Sequence, residues 1–406
     1  MQGPWSPLRI RAFRALWLAG LVSNIGTFMH IAAAAWTMTT LTDSATLVGL
    51  VQTAWATPGF LLALYAGAFA DMVDRRRLIS VTSLFALIVA ALLAFLQWSG
   101  GLTVELLILG TFFESVALTL SAPAFMALTP ELVDEPRLPP AIGLDAVSRN
   151  IAQSVGPAIA GIIIAAINPG AVFALNAASF VGIVAVAQRR GSAARLIVHR
   201  QSINQAINNG IKHVVGTKQL RNLASRLAIM LGVTSVLTSV LPLFAKQSLQ
   251  VASNGFGVLS GALGVGSVGA VWVLPRIRTK FGTETITFVA AAIWSLSVAL
   301  LSATSAMVVA VVALFICGAC TMAMLNILFS TFMVQLPNEL RGRGSSLAML
   351  MVWFGIALGT FIWGAVAATI GVGQVLFVAA VVNCLAAVLN CLTLRVAPNA
   401  VRRISN

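Results

Sequence analysis

Twelve long apolar runs, each ended by a short polar or basic break, constrain this chain more than any other feature. They lie near residues 13–40, 45–70, 78–98, 103–128, 141–166 and 170–187, then near 223–246, 255–275, 284–303, 306–336, 345–370 and 373–395. As helices rising about 1.5 Å per residue, such runs cover the roughly 30 Å hydrocarbon core of a bilayer. Backbone polar groups find no water in lipid, so each run must satisfy its own hydrogen bonds, and the helix is the form that does so. The expectation is an all-α membrane protein with twelve transmembrane helices. Composition agrees: 59% of 406 residues are hydrophobic and 9% charged, too little polar surface for a soluble domain of this length.

The charges orient the spans. Net charge is +14, yet the basic residues sit between apolar runs and not on one soluble face, which excludes a nucleic-acid binder. All but one of the 25 basic residues fall in the breaks on the side of the two termini or at the helix ends there, and Lys246 is the exception. By the positive-inside rule that side is cytoplasmic, with both termini on it, and a multi-pass protein of the bacterial inner membrane is expected. The first run is too long for a signal-peptide core and continues through Asn24 and His30, so it reads as an uncleaved first helix. Thr42–Ser44 and Ser99–Gly101 are very short outer breaks that leave no external domain. Cys317, Cys320, Cys384 and Cys391 lie inside apolar runs and read as small hydrophobes; no metal set or cofactor motif is present.

The chain divides into an N-terminal bundle (1–187), a cytoplasmic linker (188–222) and a C-terminal bundle (223–406). Within the linker, Ile203, Ile207, Ile211 and Val214 recur at helical spacing, which suits an amphipathic surface helix or a solvated connector. The halves echo each other: Pro130-Glu131-Leu132 ends the fourth run as Pro337-Asn338-Glu339-Leu340 ends the tenth, and glycine-rich stretches occupy the fifth and eleventh. Such symmetry suits two six-helix repeats around a central substrate path. No nucleotide loop, His/Glu metal set or other enzyme constellation appears, so an ion gradient is the expected energy source and the protein is not expected to be an enzyme.

GAFADMVDRRR, at Gly67–Arg77, is the sharpest local motif. It resembles the helix 2–3 signature of the major facilitator superfamily, a Gly-x-x-x-Asp followed by an arginine-rich turn, on Gly67, Asp71, Arg75, Arg76 and Arg77. It departs at Met72, where a basic residue is common, and at Asp74, where glycine is common. Gly156-Pro157 followed by Gly161 is similar to the superfamily's antiporter-associated helix-packing motif. FRALWLAGLVSNIG and SATLVGLVQTAWATPGFLLAL resemble the branch of enterobactin exporters and macrolide efflux proteins. The resemblance implies two pseudo-symmetric six-helix bundles working by alternating access, with helices 1, 4, 7 and 10 lining a central cavity. Physically, Gly67 would let helices 2 and 11 approach closely, and Asp71 would face the positive N-terminus of helix 11 near Gly344 and Ser345. The arginines would pair with Glu131. The stretch then reads as a cytoplasmic latch; the plain alternative is positive-inside charge alone.

Polar groups within the runs are the candidate site. Glu114 and His30 lie at similar depth and, with helices 1 and 4 lining the cavity by resemblance, are expected to face it and couple protons; a structural acid and a packed neutral histidine are the alternatives. Arg149 either grips an anionic or carbonyl-rich substrate or ties to Asp145 four residues earlier. Gln153, Asn24, Gln52 and Asn326 are further substrate-binding candidates, or amides that glue helices together. Trp55, with Trp353 and Trp363, offers apolar contact or an interfacial anchor, and Thr234, Ser235, Thr238 and Ser239 offer close packing or a polar wall. The expectation is a proton-coupled exporter of a small amphiphilic or anionic molecule of siderophore or drug class. An uptake or lipid transporter, or a non-transporting scaffold or sensor, is the alternative. The expected partners are a small-molecule substrate, protons and the lipid bilayer, with no nucleic acid, and a monomer is expected.

Overall fold

A computed structural model of the protein describes residues 3–188, 212, 214–336 and 341–393, apart from the side chains of 68, 71, 341–343, 345, 392 and 393. After a 3₁₀ turn at Ser6–Arg9, six helices make the first half: α1 (Arg11–Leu41), α2 (Ala45–Met72), α3 (Arg75–Ser99), α4 (Val104–Leu132), α5 (Leu138–Ala166) and α6 (Pro169–Gln188). The second half holds α7 (Lys218–Thr234), α8 (Val236–Leu243), α9 (Ser253–Arg278), α10 (Thr283–Ala303), α11 (Met307–Gln335), α12 (Arg341–Ile370) and α13 (Val372–Thr393). α7, α8 and a π turn at Phe244–Ser248 form one crossing, so the thirteen helices among the described residues make the twelve expected spans.

Helix ends follow local chemistry. Ser44 and Thr103 cap α2 and α4 by accepting from the amides of Leu47 and Leu106. Asp74, the departure from the glycine common at that place, caps α3 by accepting from the amides of Arg76 (2.9 Å) and Arg77 (3.1 Å). Gly100 ends α3 at φ +73°, a left-handed position that suits glycine. The seventh span breaks where its own side chains interfere. Ser235 Oγ donates to the Gly232 carbonyl, Thr238 Oγ1 donates to the Ser235 carbonyl, and Pro242 lacks the N–H that would continue the ladder.

Among the described residues, eleven spans are long and apolar enough to cross a membrane by length and composition. α5 falls short because Asp145, Arg149, Asn150 and Gln153 interrupt it. Its apolar face holds Ile151, Val155 and Ile162, all exposed, while Ala152, Gly156 and Ala160 pack inward. The polar residues therefore ride on a helix lipid-facing on one side only.

In the first half α1 packs along α5 and α6, α2 along α4, and α3 along α4 and α6; in the second, α11 packs along α9 and α10, α10 along α13, and α7 along α12. The halves meet along α2 with α12 and α5 with α9. Both seams close toward the end remote from the termini. A methyl on Gly49 would sit 2.8 Å from the Thr360 carbonyl oxygen and 3.0 Å from Gly364 Cα, and one on Gly161 would sit 2.8 Å from Gly257 Cα. Only glycine permits backbones that near. Thr53 and Thr360 share a hydroxyl hydrogen bond of 2.9 Å across the first seam. Toward the termini the seams part: methyls on Gly67 or Gly143 would meet nothing within 4 Å among the described residues. Gly67 was expected to allow close approach of α2 and α12; that role falls instead to Gly49, Gly59 (against the Trp353 ring) and Gly364, at the closed end.

Val214 is buried, whereas Ile203, Ile207, Ile211 and Pro337–Leu340 lie outside the described residues. Cys317 and Cys320 are buried free thiols, and Cys384 is exposed on the outer face of α13.

Candidate substrate cavity and a buried acid–base pair

A cavity of about 150 Å³ lies between the bundles just below their closed end. Its polar lining is Gln52 (α2), Gln153 (α5), Thr238 (α8) and Ser260 (α9); Phe28, Leu237 and Phe256 are among its apolar walls. Trp36 stacks on Phe256, with ring centroids 5.5 Å apart, and so backs the wall. No charged residue lines it. Arg149 is one helical turn from Gln153, on the same face of α5 and toward the termini, and is exposed. It makes no ion pair with Asp145 within 4 Å; Asp145 instead accepts a hydrogen bond from Thr129 Oγ1 at 3.1 Å. Arg149 and Asp145 therefore interact only at longer range, and the hydrogen bond to the carboxylate comes from α4.

The structure does not bring the other substrate-binding candidates to this cavity. Asn24 donates to Ser148 Oγ at 3.1 Å and fastens α1 to α5. Asn326 is exposed on α11. Trp55 is half-buried, and its carbonyl accepts from Ser115 Oγ at 2.5 Å, joining α2 to α4. Trp353 packs against Gly59 across the seam, and Trp363 Nε1 donates to the Gly232 carbonyl at 2.8 Å within the second bundle. Ser239 Oγ donates to the Thr360 carbonyl at 2.9 Å. The hydroxyls of the seventh span thus divide: Ser239 packs and Thr238 lines the cavity.

His30 and Glu114 were expected to face the cavity. The structure corrects this: both are 0% exposed and lie in the core of the first bundle. α1 and α4 turn them toward α6, where Asn176, also fully buried, donates from Nδ2 to Glu114 Oε1 at 2.7 Å. His30 Nδ1 stands 3.0 Å from Glu114 Oε2, in ion-pair range but off the line of a hydrogen bond. The imidazole lies 4.9 Å from the Phe173 ring, centroid to centroid. Asn176 escaped the sequence reading, although it is the one amide inside the sixth apolar run.

A second buried pair also escaped it. Arg226 (α7) reaches Glu284 (α10) with both guanidinium arms, at 2.6 and 3.0 Å, and its side chain is 3% exposed. In the sequence Arg226 is one of the basic residues on the terminal side and Glu284 an acid at the start of a run, and only packing shows that they meet.

In the arginine-rich turn, Arg75 pairs with Glu131 of α4 and donates to the Ala127 carbonyl at 3.4 Å, within the first bundle. Arg76 is half-buried, Arg77 is exposed, and the Asp71 side chain lies outside the described residues. Gly156 packs on α1, where a methyl would sit 2.8 Å from Phe28 Cβ; Pro157 and Gly161 border α9 across the seam. At the closed end Lys246 donates to the Thr39 carbonyl, near the C-terminus of α1, with Asp43 at 3.7 Å.

The sequence profile of the MFS_3 family, described as transmembrane secretion effector, matches residues 2–403. A staphyloferrin A transporter of Staphylococcus aureus is 24% identical over 61% of this chain and 62% of its own length. An uncharacterised MFS-type transporter of Sinorhizobium fredii is 26% identical over 56% of this chain and 57% of its own. The match therefore spans about three fifths of each relative. Among solved structures, the nucleoside transporter NupG superposes with a TM-score of 0.74 at 13% identity, over 94% of this chain and 100% of that one. An inward-facing, unoccupied bacterial homologue of the lysosomal transporter Spinster gives 0.74 at 13% identity, over 98% and 97%. These structures share the fold, that of major facilitator transporters. The chain belongs to the transmembrane secretion effector family of that superfamily.

Proposed function

We propose that this chain is a proton-coupled exporter that moves a small amphiphilic or anionic molecule, of siderophore or drug class, by alternating access. The observation that carries the reading is the cavity between the bundles, closed at the far end, with Arg149 one turn nearer the basic, terminal side. Taking that side as cytoplasmic by its charge, the molecule is inward-facing and ready to load. Gln52, Gln153 and Thr238 supply neutral donors and acceptors to a substrate whose apolar part seats among Phe28, Leu237 and Phe256. Arg149 then holds a carboxylate or other anionic group at the mouth through its planar fork. The name of the staphylococcal relative favours a siderophore.

His30 and Glu114 carry the proton. A lone carboxylate buried away from water is costly, so the pair is stable only when Glu114 is protonated or His30 is charged. Their enclosure in the first bundle separates the proton from the substrate path; coupling then runs through the packing of α1 and α4, not through direct competition. Gly67, Asp71, Arg75, Arg76, Arg77 and Glu131 form the cytoplasmic latch in this reading, engaged when the bundles (1–187 and 223–406) rock shut, with 188–222 as their tether. Gly156, Pro157 and Gly161 hold α5 close enough to α1 and α9 for that rocking.

The test uses inside-out vesicles with an acidic lumen and staphyloferrin A as probe. Gradient-dependent accumulation is expected, and Glu114→Gln should abolish it while leaving binding intact. Absence of binding removes the siderophore class. Accumulation only in right-side-out vesicles makes the protein an importer.

A further inference from the structure

The buried pair has a third member whose position constrains where a proton can sit. Glu114 presents its two oxygens to different neighbours: Oε1 accepts from Asn176 Nδ2 at 2.7 Å, and Oε2 faces His30 Nδ1 at 3.0 Å. A carboxamide N–H can only donate, so the oxygen it meets serves as acceptor. Any proton on the carboxyl group therefore belongs on Oε2, opposite the imidazole. The elements packed around the pair, α2, α3, α5 and α6, bring no other ionisable side chain within ion-pair distance among the described residues. Asn176 sits on α6, where its backbone carbonyl accepts from Ser179 Oγ at 2.7 Å, and its side-chain Oδ1 is buried without a hydrogen-bond partner where α1 presses close at Gly26. A methyl on Gly26 would lie 2.9 Å from Asn176 Oδ1 and 2.7 Å from Ser179 Oγ.

We propose that Asn176 is the positioning residue of the Glu114–His30 pair, occupying Oε1 so that the transferable proton is confined to Oε2, where His30 can take or return it. This rests on the proton-carrying role given to Glu114 above. The step is a proton transfer alone: once the imidazole turns to bring Nδ1 into line with Oε2, 3.0 Å away, the O–H bond at Oε2 breaks as the N–H bond at Nδ1 forms, and the carboxylate and imidazolium so produced face each other with no net change in charge. Gly26 belongs to the same device, since any larger residue there pushes the carboxamide off Oε1.

The measurement needs no substrate. Infrared difference titration of the purified protein in liposomes follows the carbonyl stretch of protonated carboxyl groups as pH changes, and Glu114→Gln identifies the Glu114 band. Asn176→Leu removes the donor at similar volume; a displacement of the band and of its titration midpoint by about one pH unit is expected, the size of one lost hydrogen bond to a charged group. Gly26→Ala keeps all three polar side chains and should displace the midpoint in the same sense by less. It also decides the matter if Asn176→Leu does not fold. A Glu114 band that titrates identically in the wild type and in every folded variant overturns the role of Asn176 while leaving Glu114 as the carrier. If no band assignable to Glu114 titrates in the wild type, the proton-carrying reading and this inference fall together.

Discussion

At the scale of the residue, the proposed substrate recognition rests on two side chains of α5. Arg149 is an exposed guanidinium that makes no ion pair within 4 Å among the described residues, although Asp145, four residues earlier, lies within reach of its charge; it stands one turn from a cavity that holds no charge. An exposed cation beside a neutral pocket favours an anion at that point. Lysine keeps the charge but loses the planar fork, so Arg149→Lys is expected to weaken binding of an anionic probe such as staphyloferrin A by about tenfold, or ~1.4 kcal/mol. Isothermal titration checks it, with thermal unfolding in detergent as the control for folding; unchanged affinity would remove Arg149 from the site. Gln153 shares that face of α5, and Gln153→Leu should cost less, since a neutral hydrogen bond is worth about 1 kcal/mol.

At the scale of the element, each bundle hides one acid–base pair, and the two differ in what surrounds them. His30 and Glu114 are linked to α6 through Asn176, whereas Arg226 and Glu284 form a two-armed ion pair between α7 and α10. Breaking a buried pair leaves one charge stranded, and removal of one partner typically costs 3–5 kcal/mol. Glu284 is about one quarter exposed, so water softens the penalty; Glu284→Gln is expected to destabilise the second bundle by about 2 kcal/mol. The double variant Arg226→Met with Glu284→Leu should recover most of that loss. Thermal unfolding of both forms tests it: equal destabilisation of single and double variants would mean that the pair itself, and not the stranded charge, sets stability.

At the scale of the whole molecule, the far end is held shut by contacts between bundles. Lys246 reaches from the π turn to the Thr39 carbonyl, where the C-terminus of α1 carries unpaired carbonyls and partial negative charge, and Asp43 lies beside it. Lys246→Gln is therefore expected to shift the population toward opening at that end, with the wild-type contact weakening as salt rises. Gly49→Leu should act more strongly, since even a methyl there would lie 2.8 Å from the Thr360 carbonyl oxygen. Distance distributions between spin labels on α2 and α12 at that end measure both. A wild-type distribution in Gly49→Leu would show that the seam is not what keeps that end closed.

How much of this was legible in the sequence follows from what each level of structure depends on. The twelve crossings were readable because lipid imposes a length and an apolar composition on every span, and even the seventh, broken at Ser235, kept its overall reach. Gly156 and Gly161 were recognisable as packing positions through their resemblance to the superfamily's helix-packing motif, and small residues there let helices approach closely. Gln52 and Gln153 were picked out as polar groups in apolar runs. Which of the polar groups meet was decided by tertiary structure alone. Rotation of a helix about its axis determines whether a side chain faces cavity, bundle core or lipid, and in lipid that rotation is fixed by packing against neighbours and not by a hydrophobic stripe. α1 and α4 turn His30 and Glu114 away from the cavity toward Asn176, α7 and α10 turn Arg226 onto Glu284, and the seam closes at Gly49 and Gly364 instead of Gly67.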